Sequence, residues 1–365
     1  MRYIRIVGAL LVTAYAASGT AQVQYSNAFL SIGQDARDLG LAPGHISFDS
    51  LGTYWNPANI GALTSPLHGS FFHMMQYGGI ANYNTVGIRG HVAPQLNAAV
   101  TYVRWGIDNI PNTLDLLDAA GQVHYEKVTA FSAVDHAILA AVAYRGTLSK
   151  FRRASPVRFM VGAQAKMVFR KVGTFARSQG YGLDLGAKVL AGPWRAALSL
   201  RDITGTFNIW HYTFTDKQRQ QLERTGNAVP VRTVENTPPS LLLGVGYEAR
   251  PLSALAVRPE VTLMMPFDGR GMDPRVGVEV AYHERFFFRM GAHRFQRITS
   301  PAPEGRSVTI VSPSFGVGFV YDIFAIDYAL ADMGTASLLP VSHALSLRVM
   351  LRRPPISQAH HPTSK

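Results

Sequence analysis

The chain has 365 residues, 47% of them hydrophobic, a formal net charge of +12 and no cysteine. The absence of cysteine excludes disulfides, cysteine-based zinc sites and an anchor at a lipidated cysteine. No uninterrupted apolar run of about 18 residues follows the N-terminus, so membrane-spanning helices are excluded too.

The basic residues fall at alternate positions instead of forming clusters. This points to a charged lumen and anionic lipid headgroups as partners rather than nucleic acid. At the N-terminus, Met1 to Arg5 is short and basic, Ile6 to Ala17 is apolar, and Gly19-Thr20-Ala21 offers small residues for cleavage. Residues 1–21 are therefore read as a secretory signal peptide, with the mature chain starting near Gln22. Residues 22–66 lack strand alternation and form a compact, plug-like N-terminal segment. Ser31 to Leu41 and Leu51 to Leu63 each suit a short helix, the second interrupted by Asn56-Pro57. Asn is a good helix cap and proline suits the first helical position, so Asn56, Pro57 and Ala58 have a structural reading, with Trp55 packing against a lumen wall.

From residue 67 to 351 apolar and polar side chains alternate, as the period of two in a strand requires when one face meets lipid and the other water. Strands are predicted near 67–76, 82–93, 97–106, 136–146, 156–174, 179–191, 193–207, 239–249, 254–266, 274–283, 285–297, 308–321, 324–333 and 342–351. Val157-Phe159-Val161-Ala163-Ala165-Met167-Phe169 faces outward, interleaved with Arg158, Gln164, Lys166 and Arg170. Tyr181-Leu183-Leu185 alternates with Asp184, and Lys188 continues the inward set. Val276-Val278-Val280 alternates with Glu279, and Leu345-Leu347-Val349-Leu351 with Ser346 and Arg348. Connections after even-numbered strands are tight, except 147–155. The long ones, 107–135, 208–238, 298–307 and 334–341, follow odd-numbered strands. That parity is the signature of short periplasmic turns and longer extracellular loops. Thr215-Asp216 predicts the cap of a polar surface helix running to Arg224. Residues 352–365 read as a disordered tail.

The segment Asn27-Ala28-Phe29-Leu30-Ser31-Ile32-Gly33-Gln34-Asp35-Ala36-Arg37-Asp38-Leu39-Gly40, completed by Asp49 and Tyr54-Trp55-Asn56-Pro57-Ala58, resembles the start of the PorV/PorQ family of outer-membrane proteins. The likeness continues in Gly106 to Thr113, in Phe131-Ser132, and in Phe315 to Gly318, Ile326 to Ala329 and Ser342 to Ser346. The chain departs from the family pattern at Pro43, which interrupts a glycine-rich run. It also ends in a polar tail after Leu351 rather than in an aromatic residue. The resemblance implies a fourteen-stranded barrel like that of the FadL-type fatty-acid transporters, with an N-terminal plug. It also implies binding or shuttling of secreted cargo proteins with C-terminal sorting domains, alongside other components of type IX secretion.

No catalytic chemistry emerges. Gly180 to Gly186 keeps strand alternation and has the wrong spacing for a dinucleotide loop; no nucleophile elbow is present; His360-His361 has no ligand partners at metal spacing. The expectation is an all-β, transmembrane antiparallel barrel of the outer membrane that is not an enzyme and needs no cofactor. Phe29, Gly33, Arg37, Gly40, Trp55, Asn56, Pro57 and Ala58 form its plug motif. Arg37 should pair with Asp184, Glu260, Glu279 or Asp327, because a buried charge without a partner is costly. Arg158, Lys166, Asp184, Lys188, Glu279 and Arg348 form a lumen charge network, joined by Arg89, Arg195 and Arg201. The leading functional reading is cargo docking by loops 107–135 and 208–238. The alternative is a FadL-like transporter or channel for small hydrophobic molecules. It would need a lateral opening, for which Pro259 and Met264-Met265-Pro266 are the hints.

Overall fold

The computed structural model describes residues 27–48, 52–118, 120–148, 156–229, 233–269, 271–299, 307–332 and 341–351. The expected signal peptide and tail lie outside them. One closed antiparallel sheet of fourteen barrel strands dominates. The first six are β1 (Leu67–Gln76), β2 (Ala81–Ala93), β3 (Leu96–Asn112), β4 (Thr129–Leu148), β5 (Val157–Val172) and β6 (Ala176–Ala191). β7 runs in two stretches, Trp194–Arg201 and Thr206–Tyr212, and β8 in three, Thr233–Thr237, Ser240–Tyr247 and Ala249–Leu252. The circuit continues through β9 (Leu255–Pro266), β10 (Asp273–Tyr282), β11 (Phe286–Thr299), β12 (Ser307–Tyr321), β13 (Phe324–Ala331) and β14 (Ser342–Leu351). β14 pairs with β1 from Leu351–Leu67 to His343–Met75 and seals the wall. Closure matters because an open sheet edge in hydrocarbon would leave backbone groups unpaired.

The alternation decides which face points where. On β6 the exposed Tyr181, Leu183, Leu185 and Val189 point outward, and the buried Ser178, Asp184 and Lys188 point inward. From Val189 to Tyr181 the apolar band covers roughly 27 Å of strand, or about 20 Å of height after a barrel tilt of ~40°.

Residues 27–48 and 52–63 lie inside this cylinder, almost wholly buried. The segment holds a 3-10 turn (Ala28–Ser31), the short helix α1 (Ala36–Gly40) and a second 3-10 turn (Pro57–Ala62). Both helices predicted there are therefore shorter than expected. Gly33 at φ 108° stops the first turn, and Asp35 restarts the chain as the cap of α1, accepting from the Asp38 amide at 2.7 Å. α1 packs against β11 to β14, and the second turn against β3 to β6, so the segment bridges two distant parts of the wall.

Glycines make these contacts possible. A Cβ on Gly162 of β5 would stand 2.6 Å from the Pro57 carbonyl carbon, and one on Gly40 would stand 2.9 Å from the Gly316 Cα of β12. Backbone therefore lies directly on backbone at both anchors.

Two expectations are corrected. The long connections are shorter than 107–135 and 208–238, because β3, β4, β7 and β8 continue beyond the apolar belt to Asn112, Thr129, Tyr212 and Thr233. Above the bilayer both faces of a hairpin meet water, so its pairing persists without apolar alternation. Within the shortened second loop, α2 (Asp216–Arg224) forms as predicted, capped by Thr215 in a capping box with Gln218. Pro259 makes no bulge. It leaves a gap in the β8–β9 ladder opposite Tyr247, but the register is the same at Gly246–Glu260 and at Ala249–Val257. The interruption of the wall lies instead between β7 and β8. There Asp202 to Gly205, with φ of 54° and 63° at its ends, faces Pro238-Pro239, and pairing resumes only at Arg201–Ser240 and Thr206–Thr237.

Gly162→Ala should lower folded-barrel stability by about 1–3 kcal/mol, as overpacking against backbone does. Gly69→Ala should be neutral, since nothing lies within 4 Å of a Cβ there. The temperature at which the folded form loses its fast electrophoretic mobility measures both; equal shifts would contradict the close packing at Gly162.

Candidate functional site

The lumen is organised by charge. Arg37 of α1 grips Glu279 of β10 with two bonds, Nε to Oε2 at 2.9 Å and Nη2 to Oε1 at 3.2 Å. Glu279 also accepts from Arg289 of β11 at 2.7 Å and from Arg258 of β9 at 3.1 Å. Arg289 continues to Asp327 of β13 at 2.7 Å, and Asp327 accepts from Arg348 of β14 at 2.5 Å. The Arg289–Asp327 bond passes over β12 because Gly318 there has no side chain to obstruct it. Toward the short-turn end, Arg258 binds Glu248 at 3.0 Å and Glu284 at 2.5 Å. Cations and carboxylates thus alternate across neighbouring strands, each charge meeting its opposite in a site with little water.

A second cluster sits beside the wall interruption. Lys166 binds Asp184 at 2.7 Å and also Asp202, while Gln164 donates to Asp184 at 2.9 Å. Next to it Arg201 stacks on the Tyr54 and Trp55 rings, its guanidinium carbon 3.9 and 4.5 Å from their centroids. Trp55 is buried and donates its Nε1–H to Asp38 at 2.6 Å. Asn56 caps the second turn, accepting from Ala58 at 2.9 Å, and its amide donates to the Ala187 and Leu198 carbonyls of β6 and β7.

The motif residues Phe29, Gly33, Arg37, Gly40, Trp55, Asn56, Pro57 and Ala58 therefore all lie within the lumen, but on two anchors. Of the predicted charge network, Glu279 and Arg348 belong to the Arg37 chain, and Lys166 and Asp184 to the second cluster. Lys188 instead binds Asn59 at 3.1 Å. Arg158 has inward parity but is exposed near the short-turn end of β5, outside the network. Arg195 likewise caps turn carbonyls at Gly192 and Trp194. Rim positions are hydrated, so nothing forces these two cations into pairs. Asp38 and Arg289 are central, yet alternation alone gave neither of them a role.

The outer mouth is apolar. A cavity of about 480 Å³ is walled by Phe131, Phe175, Trp210, Tyr212, Phe214 and Leu222, with Glu235 at its side. Phe175 meets Phe131 edge-on at 5.2 Å and stacks with Phe214 at 5.7 Å. Arg170 stacks on Trp210 and pairs with Asp135 and Glu235. The buried Trp210 Nε1–H has no hydrogen-bond partner among the described residues. Sequence reading placed these aromatics in loops; the alternation Trp210, Tyr212, Phe214 was the available signal. A larger hollow, about 760 Å³, opens at the opposite rim among Thr64, Pro66, His91 and Arg145, but no aromatic lines it. Among the described residues no group of three His, Asp or Glu could hold a metal.

The loop beside the mouth is latched. α2 donates from Gln221 to the Leu117 carbonyl at 2.9 Å and from Arg224 to the Asp118 carbonyl at 2.8 Å. His124 bridges Asp118 and Glu126 at 3.1 and 2.8 Å. The hydrogen bond to Asp118, then that to Glu126, raises the His124 pKa, and the bond from His124 holds the Asp118 carboxyl down at about 2.

No protein-family model matches the chain, and no curated protein matches it in sequence. Among solved structures it resembles the CymD monoaromatic hydrocarbon channel at 12% identity and TM-score 0.51, over 88% of this chain and 99% of that one. It also resembles the P. putida toluene transporter TodX at 10% identity and TM-score 0.53, over 89% and 100%. The likeness is one of fold, a closed antiparallel β-barrel of fourteen strands. Nothing in these likenesses speaks for the PorV/PorQ family in particular or for cargo shuttling.

Glu279→Gln should cost about 3–5 kcal/mol, because it strips three arginines of a shared carboxylate. Arg37→Gln should cost less, about 1.5–3 kcal/mol, because Glu279 keeps two partners. Denaturant titration of folded barrel reads both; the reverse order would contradict the shared-carboxylate geometry. The loop latch should be tightest between about pH 4 and 6.5. The raised His124 contribution is lost as pH climbs through its folded value, and the lowered Asp118 contribution as pH falls toward about 2. Amide exchange in 113–128, corrected for intrinsic rate, should therefore speed up above neutrality, and His124→Gln should abolish that rise.

Proposed function

We propose that this protein is a non-enzymatic outer-membrane channel that takes small apolar, preferably aromatic, molecules from outside and releases them sideways into the bilayer. The observation that carries this reading is the stacking of two features on one side of the barrel. The aromatic cavity stands at the outer mouth, and the β7–β8 interruption lies a few residues below Trp210 on the same strand. Five aromatic rings give an apolar guest large contact area with little ordering cost. Pro238 and Pro239 have no N–H to donate, so the ladder between β7 and β8 lapses where a guest would pass. The N-terminal segment fills the lumen and blocks water and ions, which makes the side wall the shorter way out. The two solved barrels it resembles, a monoaromatic hydrocarbon channel and a toluene transporter, support the same ligand class.

The test uses toluene and a form in which Trp210 is the only tryptophan. Toluene should change Trp210 emission, and Phe175→Ala should weaken binding about 3- to 10-fold, the worth of one aromatic contact. Pro238→Val with Pro239→Val should leave binding unchanged and slow delivery into proteoliposome membranes. The proposal is overturned if toluene does not bind, or if native membranes yield secreted proteins on the loops and no bound lipophile.

A further inference from the structure

Arg104, Lys171, Arg177 and His211 come from four different strands, but the strand register gathers them into one row. Lys171 stands opposite Arg177, and Arg177 opposite His211. On the other side Lys171 faces Val134, and Val134 faces Gly106. Arg104 lies two residues below Gly106 on the same face and reaches up over it, since a Cβ on Gly106 would stand 3.3 Å from both terminal guanidinium nitrogens. The row crosses β3 to β7, roughly 19 Å at ~4.8 Å per strand.

All four share the outward parity of the lipid-facing Tyr102, Met167 and Tyr181. Lys171, Arg177 and His211 are exposed, and none of the four makes an ion pair or hydrogen bond among the described residues. Asp108, an exposed carboxylate further along the same strand as Arg104, pairs with none of them among the described residues. Like charges set directly opposite each other across strands repel, so Lys171 against Arg177 is unfavourable unless an anion lies between them. On β6 the row begins one outward position, Gln179, above the apolar band that ends at Tyr181. An anion held here would rest its lower half on hydrocarbon-type surface, which suits a lipid and not a free ion.

We propose that this face binds the phosphate groups of an anionic outer-leaflet lipid. Arg104, Lys171, Arg177 and His211 contact the headgroup, and the acyl chains lie along Tyr102, Met167 and Tyr181. This site is on the outside of the wall and does not depend on transport through it.

Detergent-purified protein is titrated with diphosphoryl lipid A and read by native mass spectrometry, with phosphatidylcholine and inorganic phosphate as controls. The native chain should retain lipid A. Lys171→Gln with Arg177→Gln should lose affinity about 30-fold, the worth of two cationic contacts at an anionic surface. Arg104→Gln, on a separate hairpin, should give a smaller loss on its own. Lys127→Gln with Lys217→Gln, in the extracellular loops, should bind as the native chain does. Equal retention by the folded Lys171/Arg177 variant overturns the proposal, as does equal retention of phosphatidylcholine or displacement by equimolar inorganic phosphate.

Discussion

A bilayer offers backbone amides no partner, so the wall must close on itself, and the pairing of Leu67–Met75 with Leu351–His343 closes it. The rest of the molecule follows from that seal. Once β1 and β14 meet, each strand has a fixed inner and outer face, and a period of two sorts side chains into a lipid set and a lumen set. Tyr181, Leu183 and Leu185 go out; Asp184 and Lys188 go in. A one-residue slip anywhere would turn charges toward lipid, which pins the register all the way round.

A lumen lined with charge needs internal partners. The chain from Arg348 through Asp327, Arg289 and Glu279 to Arg37 supplies them, and it makes the N-terminal segment part of the wall's electrostatics. At the other anchor the partners are backbone rather than charge. Pro57 lies against Gly162, and Asn56 reaches strand carbonyls beside Gly186, where any side chain would collide with it. The segment is held by ion pairs on one side and by glycine seams on the other.

The barrel was legible in the sequence because lipid enforces alternation, and all fourteen predicted strands overlap observed ones. Legibility ended where lipid ends. Residues 107–112 and 129–135 pair above the belt, where both faces are wet and no pattern is imposed. The partner of Arg37 was one of four carboxylates on different strands, and only the placement of α1 against β11 to β14 selects Glu279. The aromatic cavity joins Phe131, Phe175 and Trp210 from three connections that no local pattern relates. Pro259 drew attention as a proline inside a strand, but a single missing donor leaves register intact. The pair Pro238-Pro239 opposite a four-residue detour in β7 does break the ladder.

For the proposed channel function, the filled lumen also bears on direction of travel. A route straight down the barrel requires Arg37 to leave Glu279, and a buried ion pair opened on one side costs several kcal/mol. It also requires Asn56 and Pro57 to lift from β5 and β6, exposing strand carbonyls and leaving voids at Gly162 and Gly186. A sideways route disturbs none of these contacts. It begins in a cavity already lined with aromatic rings and ends at a stretch of wall whose ladder is already absent, so the guest need not displace any hydrogen bond between β7 and β8. The cluster of Lys166, Asp184 and Asp202 lies just inside that stretch and is satisfied by its own members. It can therefore keep the lumen side polar and closed while the outer side yields to an apolar molecule.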